Sequence, residues 1–166
     1  QREKFRKLYD SGYTRLIILT IGSTQMSELP VYSIQNFVEV SYWPDLKAVM
    51  IKWHSEYDED TAVKDAVHAA LEYVRKHEVP HWLADISTSR QGLTPEDQDW
   101  VNSDDFRNEI TNSPLRKFVL IPPLPETGQD VSWLADWETN TLAKFGEGVS
   151  AKLSSDMEEI RAFFDE

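Results

Sequence analysis

From Phe37 the chain alternates regularly between apolar and polar positions. Val38, Val40 and Tyr42 are separated by Glu39 and Ser41, the period-two pattern of a strand with one buried face. Trp43-Pro44-Asp45-Leu46 supplies turn chemistry, proline being suited to the first central position of a turn. Ala48 to Trp53 resumes the alternation, with Val49, Ile51 and Trp53 on one face and Ala48, Met50 and Lys52 on the other. The two runs predict an antiparallel hairpin.

The period then changes. Asp58-Glu59-Asp60-Thr61 predicts a helix start, where acidic side chains suit the positive end of the helix dipole. Val63, Ala66, Val67, Ala70, Leu71 and Val74 follow at spacings of three and four, one apolar stripe along a helix. Arg75, Lys76 and His77 fill the last turn, and Pro80 stops it. His81 to Ile86 is apolar enough for a central strand. Ser87 to Leu93 is a polar loop, and Thr94-Pro95-Glu96-Asp97 predicts an N-cap followed by proline at the first helical position. That helix breaks near Asn102-Ser103 and restarts at Asp104. Lys117 to Ile121 reads as a strand ended by Pro122-Pro123, and Asp130 to Phe145 as a helix carrying Trp133 and Trp137 four apart on one face. Val149 to Leu153 is a weak strand, and Ser155-x-x-Glu158 has the spacing of a capping box that opens a last helix.

Strands alternating with helices imply crossover connections. The predicted fold class is therefore α/β: a mixed, mostly parallel sheet that opens with an antiparallel hairpin and has helices packed on it. Residues 31–166 read as a single domain and residues 1–30 as a basic N-terminal extension, with Leu16 to Ile21 a short strand or anchored arm.

Charge sharpens this division. The first 25 residues carry five basic and two acidic side chains, whereas the remaining 141 carry twelve and 27. Over all 166 residues the formal charge is −12, a field that repels phosphate backbones and argues against nucleic-acid binding. With no cysteine, disulfides, thiolate metal sites and thiol nucleophiles are excluded, and a reducing cytoplasm suits the chain. No run is long enough to predict a membrane span. No Gly-x-Ser-x-Gly elbow, phosphate-binding loop or dinucleotide fingerprint occurs, so no cofactor is expected.

The element order, together with Val40-Ser41-Tyr42-Trp43-Pro44-Asp45-Leu46-Lys47-Ala48 and Trp82-Leu83-Ala84-Asp85, resembles the STAS-like family. Within it, the chain is similar to the bacterial proteins related to anti-sigma factor antagonists, which share their topology with CRAL-TRIO lipid carriers. Leu93 to Asn102 is similar to a segment typical of that subgroup. The resemblance implies a regulatory, non-enzymatic domain, and in regulatory members a serine at the helix start after the third strand accepts phosphate. Here that region lacks the Asp-Ser-Ser-Gly-like motif, and Thr94 occupies the helix start by topology alone. Glu96, Asp97 and Asp99 crowd the same turn and oppose a phosphate, so a capping role for Thr94 is preferred.

Few other residues stand out. Asp85 ends an apolar strand, where open α/β sheets often place ligands, beside Ser87, Thr88 and Ser89. The competing role for Asp85 is an Asx turn that shapes the loop. His54-x-Glu56 and the His77/His81 pair lack a recognisable metal-ligand spacing, so no metal is expected. Trp133 and Trp137 can serve as core, as a dimer surface or as the lip of an apolar pocket.

Two readings follow. The first is a STAS-like interaction domain with a protein partner, a second copy included, that works through loop 87–94, the next helix and the 122–137 region. The alternative is a module that binds an apolar small molecule or lipid between sheet and helices, gated near Trp133 and Trp137. A filled core with an exposed patch would favour the first, and a sizeable cavity the second.

Overall fold

The computed structural model describes residues 28–166. Leu16 to Ile21 and most of the basic extension lie outside the described residues. Six strands form one sheet in strictly sequential order: β1 (Leu29–Ile34), β2 (Val38–Trp43), β3 (Ala48–Trp53), β4 (His81–Asp85), β5 (Lys117–Ile121) and β6 (Ser150–Leu153). β1, β2 and β3 pair antiparallel, and β3 to β6 run parallel. The fold is α/β with a mixed sheet, as the periodicity predicts.

The expected hairpin is a three-stranded meander. β1 begins at Leu29, two residues inside the stretch read as extension, and it escaped notice for physical reasons. It is an edge strand whose side chains are exposed or half-buried, with Pro30 unable to donate to the ladder and a register shift between Pro30 and Tyr32. The β2–β3 connection is a single 3₁₀ turn over Pro44–Leu46, closed by Lys47 in the left-handed region at φ 48°.

Helices fill the crossovers. α1 (Ala62–His77) links β3 to β4, α2 (Pro95–Val101) and α3 (Asp104–Thr111) link β4 to β5, α4 (Trp137–Phe145) links β5 to β6, and α5 (Met157–Asp165) follows β6. When each new parallel strand is added on the same side of the last, crossovers of one hand put their helices on one face of the sheet. The core shows this partition. Val49, Ile51, Trp82, Ala84 and Leu120 pack with residues of α1, α3 and α4 in one large cluster. Ala48, Leu83 and Val119 pack with Ile160 and Phe164 of α5 in a smaller cluster on the other face.

Local chemistry explains the boundaries. The six apolar positions of the α1 stripe are its buried residues. Its acidic prelude acts as a cap rather than as a first turn: Asp58 Oδ2 accepts from the backbone N–H groups of Asp60 and Ala62, both at 3.0 Å. Thr94 caps α2, its Oγ1 accepting from Asp97 N–H at 3.1 Å, and Ser103 caps α3 after the expected break. The last cap differs from the sequence expectation by one residue. Asp156, not Ser155, caps α5 by accepting from Glu158 N–H at 2.8 Å, while Ser154 bonds Glu159. The expected helix over 130–145 is also shorter. Ser132–Asp136 is a 3₁₀ segment, and the α-helix begins at Trp137. This places Trp133 and Trp137 in different elements instead of on one helix face.

Candidate functional site

The helices on the larger face do not close fully onto the sheet. Between them lies a cleft of about 700 Å³, partly open to solvent. That is within the range of small-molecule sites and has room for roughly twenty waters. Ile51, Trp53, Trp82, Ala84, Phe118 and Leu120 form its floor, the inward-facing alternate positions of β3, β4 and β5. Val63 and Val67 of α1 make one wall, with Val101 of α2 and Phe106 of α3. Trp137, Thr141, Lys144 and Phe145 of α4 cover the opposite side, with Trp133 at the mouth.

The cleft exists because α4 covers the sheet thinly. Only Thr141 and Phe145 of that helix are buried, and Leu142 is 49% exposed. Phe118 is the anchor beneath it, its ring 6.1 Å from that of Trp137 and 6.4 Å from that of Phe145. Trp133 is 42% exposed and is oriented by its indole N–H, which donates to the Asp130 carbonyl at 2.9 Å.

Polar groups enter the cleft at distinct places. At the carboxyl ends of the strands, Glu56 accepts from the Ser89 hydroxyl at 2.8 Å, and burial pushes its carboxyl above the usual range. Gln129 donates to the Ser89 carbonyl at 3.3 Å. Lys144 lies in the last turn of α4, where its ammonium donates to the Val101 carbonyl and sits 5.0 Å from the Phe106 ring and 5.1 Å from the Phe145 ring. Burial lowers its pKa to about 8.

The sequence-derived candidates separate into two groups. Trp133 and Trp137 line the cleft. Asp85, Ser87, Thr88, Ser89 and Thr94 do not. Asp85 is buried and accepts from Ser87 N–H at 2.9 Å, which is an Asx turn. Thr88 is exposed, whereas Ser89 is wholly buried against Glu56. Backbone bonds from Glu56 to Gln91 and from Arg90 to His54 tie this loop to the β3 exit. Thr94 is 9% exposed with its oxygen engaged as the cap.

The histidines do not converge either. His54 reaches Glu39 at 2.7 Å, His68 reaches Glu109 at 3.3 Å, His77 packs at a tilt on Tyr73, and His81 is buried against Phe164. Among the described residues no group of three side chains is placed to hold a metal ion. No helix among them is long and apolar enough to cross a membrane.

Sequence reasoning missed Glu56 as a cleft residue and missed Lys144 altogether. Glu56 was visible only as part of a His-x-Glu triplet, whose two side chains in fact bond different partners. Lys144 has no motif around it; only the approach of α2 and α3 to the end of α4 encloses its amine. Compared with family models, curated proteins and solved structures, the chain matches none.

Proposed function

We propose that this protein is a non-enzymatic STAS-like module that holds an apolar small molecule between its sheet and the helices on the larger face. The carrying observation is the cleft of about 700 Å³, to which seven aromatic rings contribute. A core face that leaves Trp82, Phe106, Phe118 and Trp137 around open space forgoes dispersion contacts unless something occupies it. The sequential sheet offers no reversal of strand order, so its ligand site lies against the sheet face rather than in a crevice at a switch point. Native mass spectrometry of freshly purified protein, followed by denaturing analysis of whatever is released, tests the reading. An additional apolar mass supports it, and so does saturable uptake of an apolar probe by ligand-free protein. Protein that neither carries nor takes up an apolar molecule refutes it.

One observation favours the interaction-domain reading. Leu124, Val131, Trp133 and Leu142 are each 42–49% exposed and all belong to the covering segment 122–145. A sedimentation experiment that shows a concentration-dependent dimer, weakened by Leu142→Glu, would support that surface as the functional one; a monomer at all concentrations would count against self-association.

A further inference from the structure

From the placement of Lys144 we infer that the molecule held in the cleft is an amphipathic anion, an apolar ring or chain ending in a carboxylate. This rests on the cleft being a binding site. Lys144 is the one basic side chain among the lining residues, and among the described residues it has no ion-pair partner. Its ammonium is held by the Val101 carbonyl and by the faces of Phe106 and Phe145. A partly buried ammonium keeps at least one N–H free when a single carbonyl accepts from it, and a carboxylate is the acceptor that compensates its charge. Burial also weakens its hold on the proton, bringing the pKa to about 8, and a bound anion would reverse that effect.

The acidic lining residues do not cancel this preference. Glu56 lies in the loop beyond the end of β3, bonded to Ser89, and burial raises its pKa, which disfavours its charged form. Asp130 is at the exposed mouth, where both carboxylate oxygens bond Ser132. Lys144, in contrast, adjoins Phe145, whose ring packs on Phe118 near the start of β5. The acidic groups and the amine therefore stand toward different ends of the strands. The aromatic lining selects the body of the ligand, and the amine selects its head group. The overall charge of −12 acts at long range and is screened within about 8 Å at physiological salt, so the local cation decides.

Three probes with one ring system separate the possibilities: 2-naphthylacetate, 2-naphthylethanol and 2-naphthylethylamine, titrated calorimetrically into the full chain at pH 7. The acetate should bind about ten-fold or more tightly than the alcohol, as a charge-assisted hydrogen bond to a desolvated amine implies. Lys144→Met should remove that ratio while leaving the alcohol's affinity within about two-fold, and Lys144→Arg should retain part of it. Circular dichroism melting of each variant establishes that it is folded. Equal binding of acetate and alcohol, tighter binding of the amine, or a ratio that survives Lys144→Met would each overturn the anionic head group while leaving the cleft as a site. Binding of none of the three would instead overturn the cleft as a site for ring-sized ligands.

Discussion

Ala84→Leu is the sharpest test of whether the space above the sheet is real. Ala84 lies on the central strand β4, between Ile51 and Leu120, and its side chain faces the cleft. The substitution adds three carbons, which occupy roughly 90 Å³ if each takes about the room of one water. That is about an eighth of the 700 Å³ present, so the cleft as a whole can take up the added volume. Three carbons removed from water are worth up to about 2.4 kcal/mol at ~0.8 kcal/mol each, and ordering a leucine side chain costs ~0.5–1 kcal/mol. Because the cleft is partly open, the expected outcome lies between no change and a gain of about 1.5 kcal/mol. Ala48→Leu is the internal control. It is fully buried on the opposite face, in one cluster with Leu46, Leu83 and Ile160, where overpacking should cost ~1–3 kcal/mol. Urea unfolding followed by far-UV circular dichroism reads both variants without relying on the tryptophans around the cleft. With a slope of ~2 kcal/mol/M, the control should move its midpoint down by about 0.5–1.5 M while Ala84→Leu stays level or rises. The same variant should weaken naphthyl-probe binding at least about ten-fold. If Ala84→Leu destabilises as much as Ala48→Leu, the space is not available and the argument for a binding cleft fails.

Three further outcomes follow from the described contacts. His81 is buried, stacked 4.5 Å from Phe164 with Nδ1–H donating to the Leu46 carbonyl at 2.7 Å, and burial is the main cause of its lowered pKa. The folded state therefore binds its proton less readily than the unfolded state, so stability should fall as pH drops through the ordinary histidine value near ~6.5. His81→Phe should flatten that slope, and a slope unchanged between pH 7 and 5 would contradict the assignment. Asp97 is 2% exposed with Oδ2 lacking a hydrogen-bond partner, and burial raises its pKa. Its contribution runs opposite to that of a paired carboxylate: the penalty is absent below the unfolded pKa and grows as pH rises through the folded one. Asp97→Asn should thus gain ~1 kcal/mol at pH 7 and little at pH 3.5 in paired melting curves, whereas a loss at pH 7 would show that the carboxylate is satisfied. Thr94→Ala should cost ~1 kcal/mol in urea unfolding through loss of the α2 cap, and Thr94→Ser should restore most of it; equal stability of all three proteins would remove the cap from the account.

Much of the architecture is local and so could be read from the chain. The alternation in β2 and β3, the α1 stripe, the Thr94 cap and the break before Asp104 each depend on residues within a few positions of one another. Where a neighbour in space outweighed the local signal, the reading failed. β1 carries almost no burial pattern and is a strand because β2 offers it a hydrogen-bonding edge. The segment before Trp137 has helical spacing but winds as a 3₁₀ turn, with the Trp133 indole bonded back to the Asp130 carbonyl.

The site divides in the same way. Trp133 and Trp137 could be picked out because a tryptophan pair is rare and apolar, and the structure brings both to the cleft. Asp85, Ser87 and Ser89 were equally conspicuous as polar residues at a strand end, yet none lines the cleft: Asp85 closes an Asx turn on Ser87, and the Ser89 hydroxyl sits behind Glu56. Lys144 carries no signal in one dimension. Its exposure, its pKa and its setting between two phenylalanine rings exist only when α4 lies beside the ends of α2 and α3. Periodicity is written along the chain because it reports which face of an element meets the core. The volume left between elements, and the charge enclosed in it, depend on how several elements pack together, and only the tertiary structure decides that.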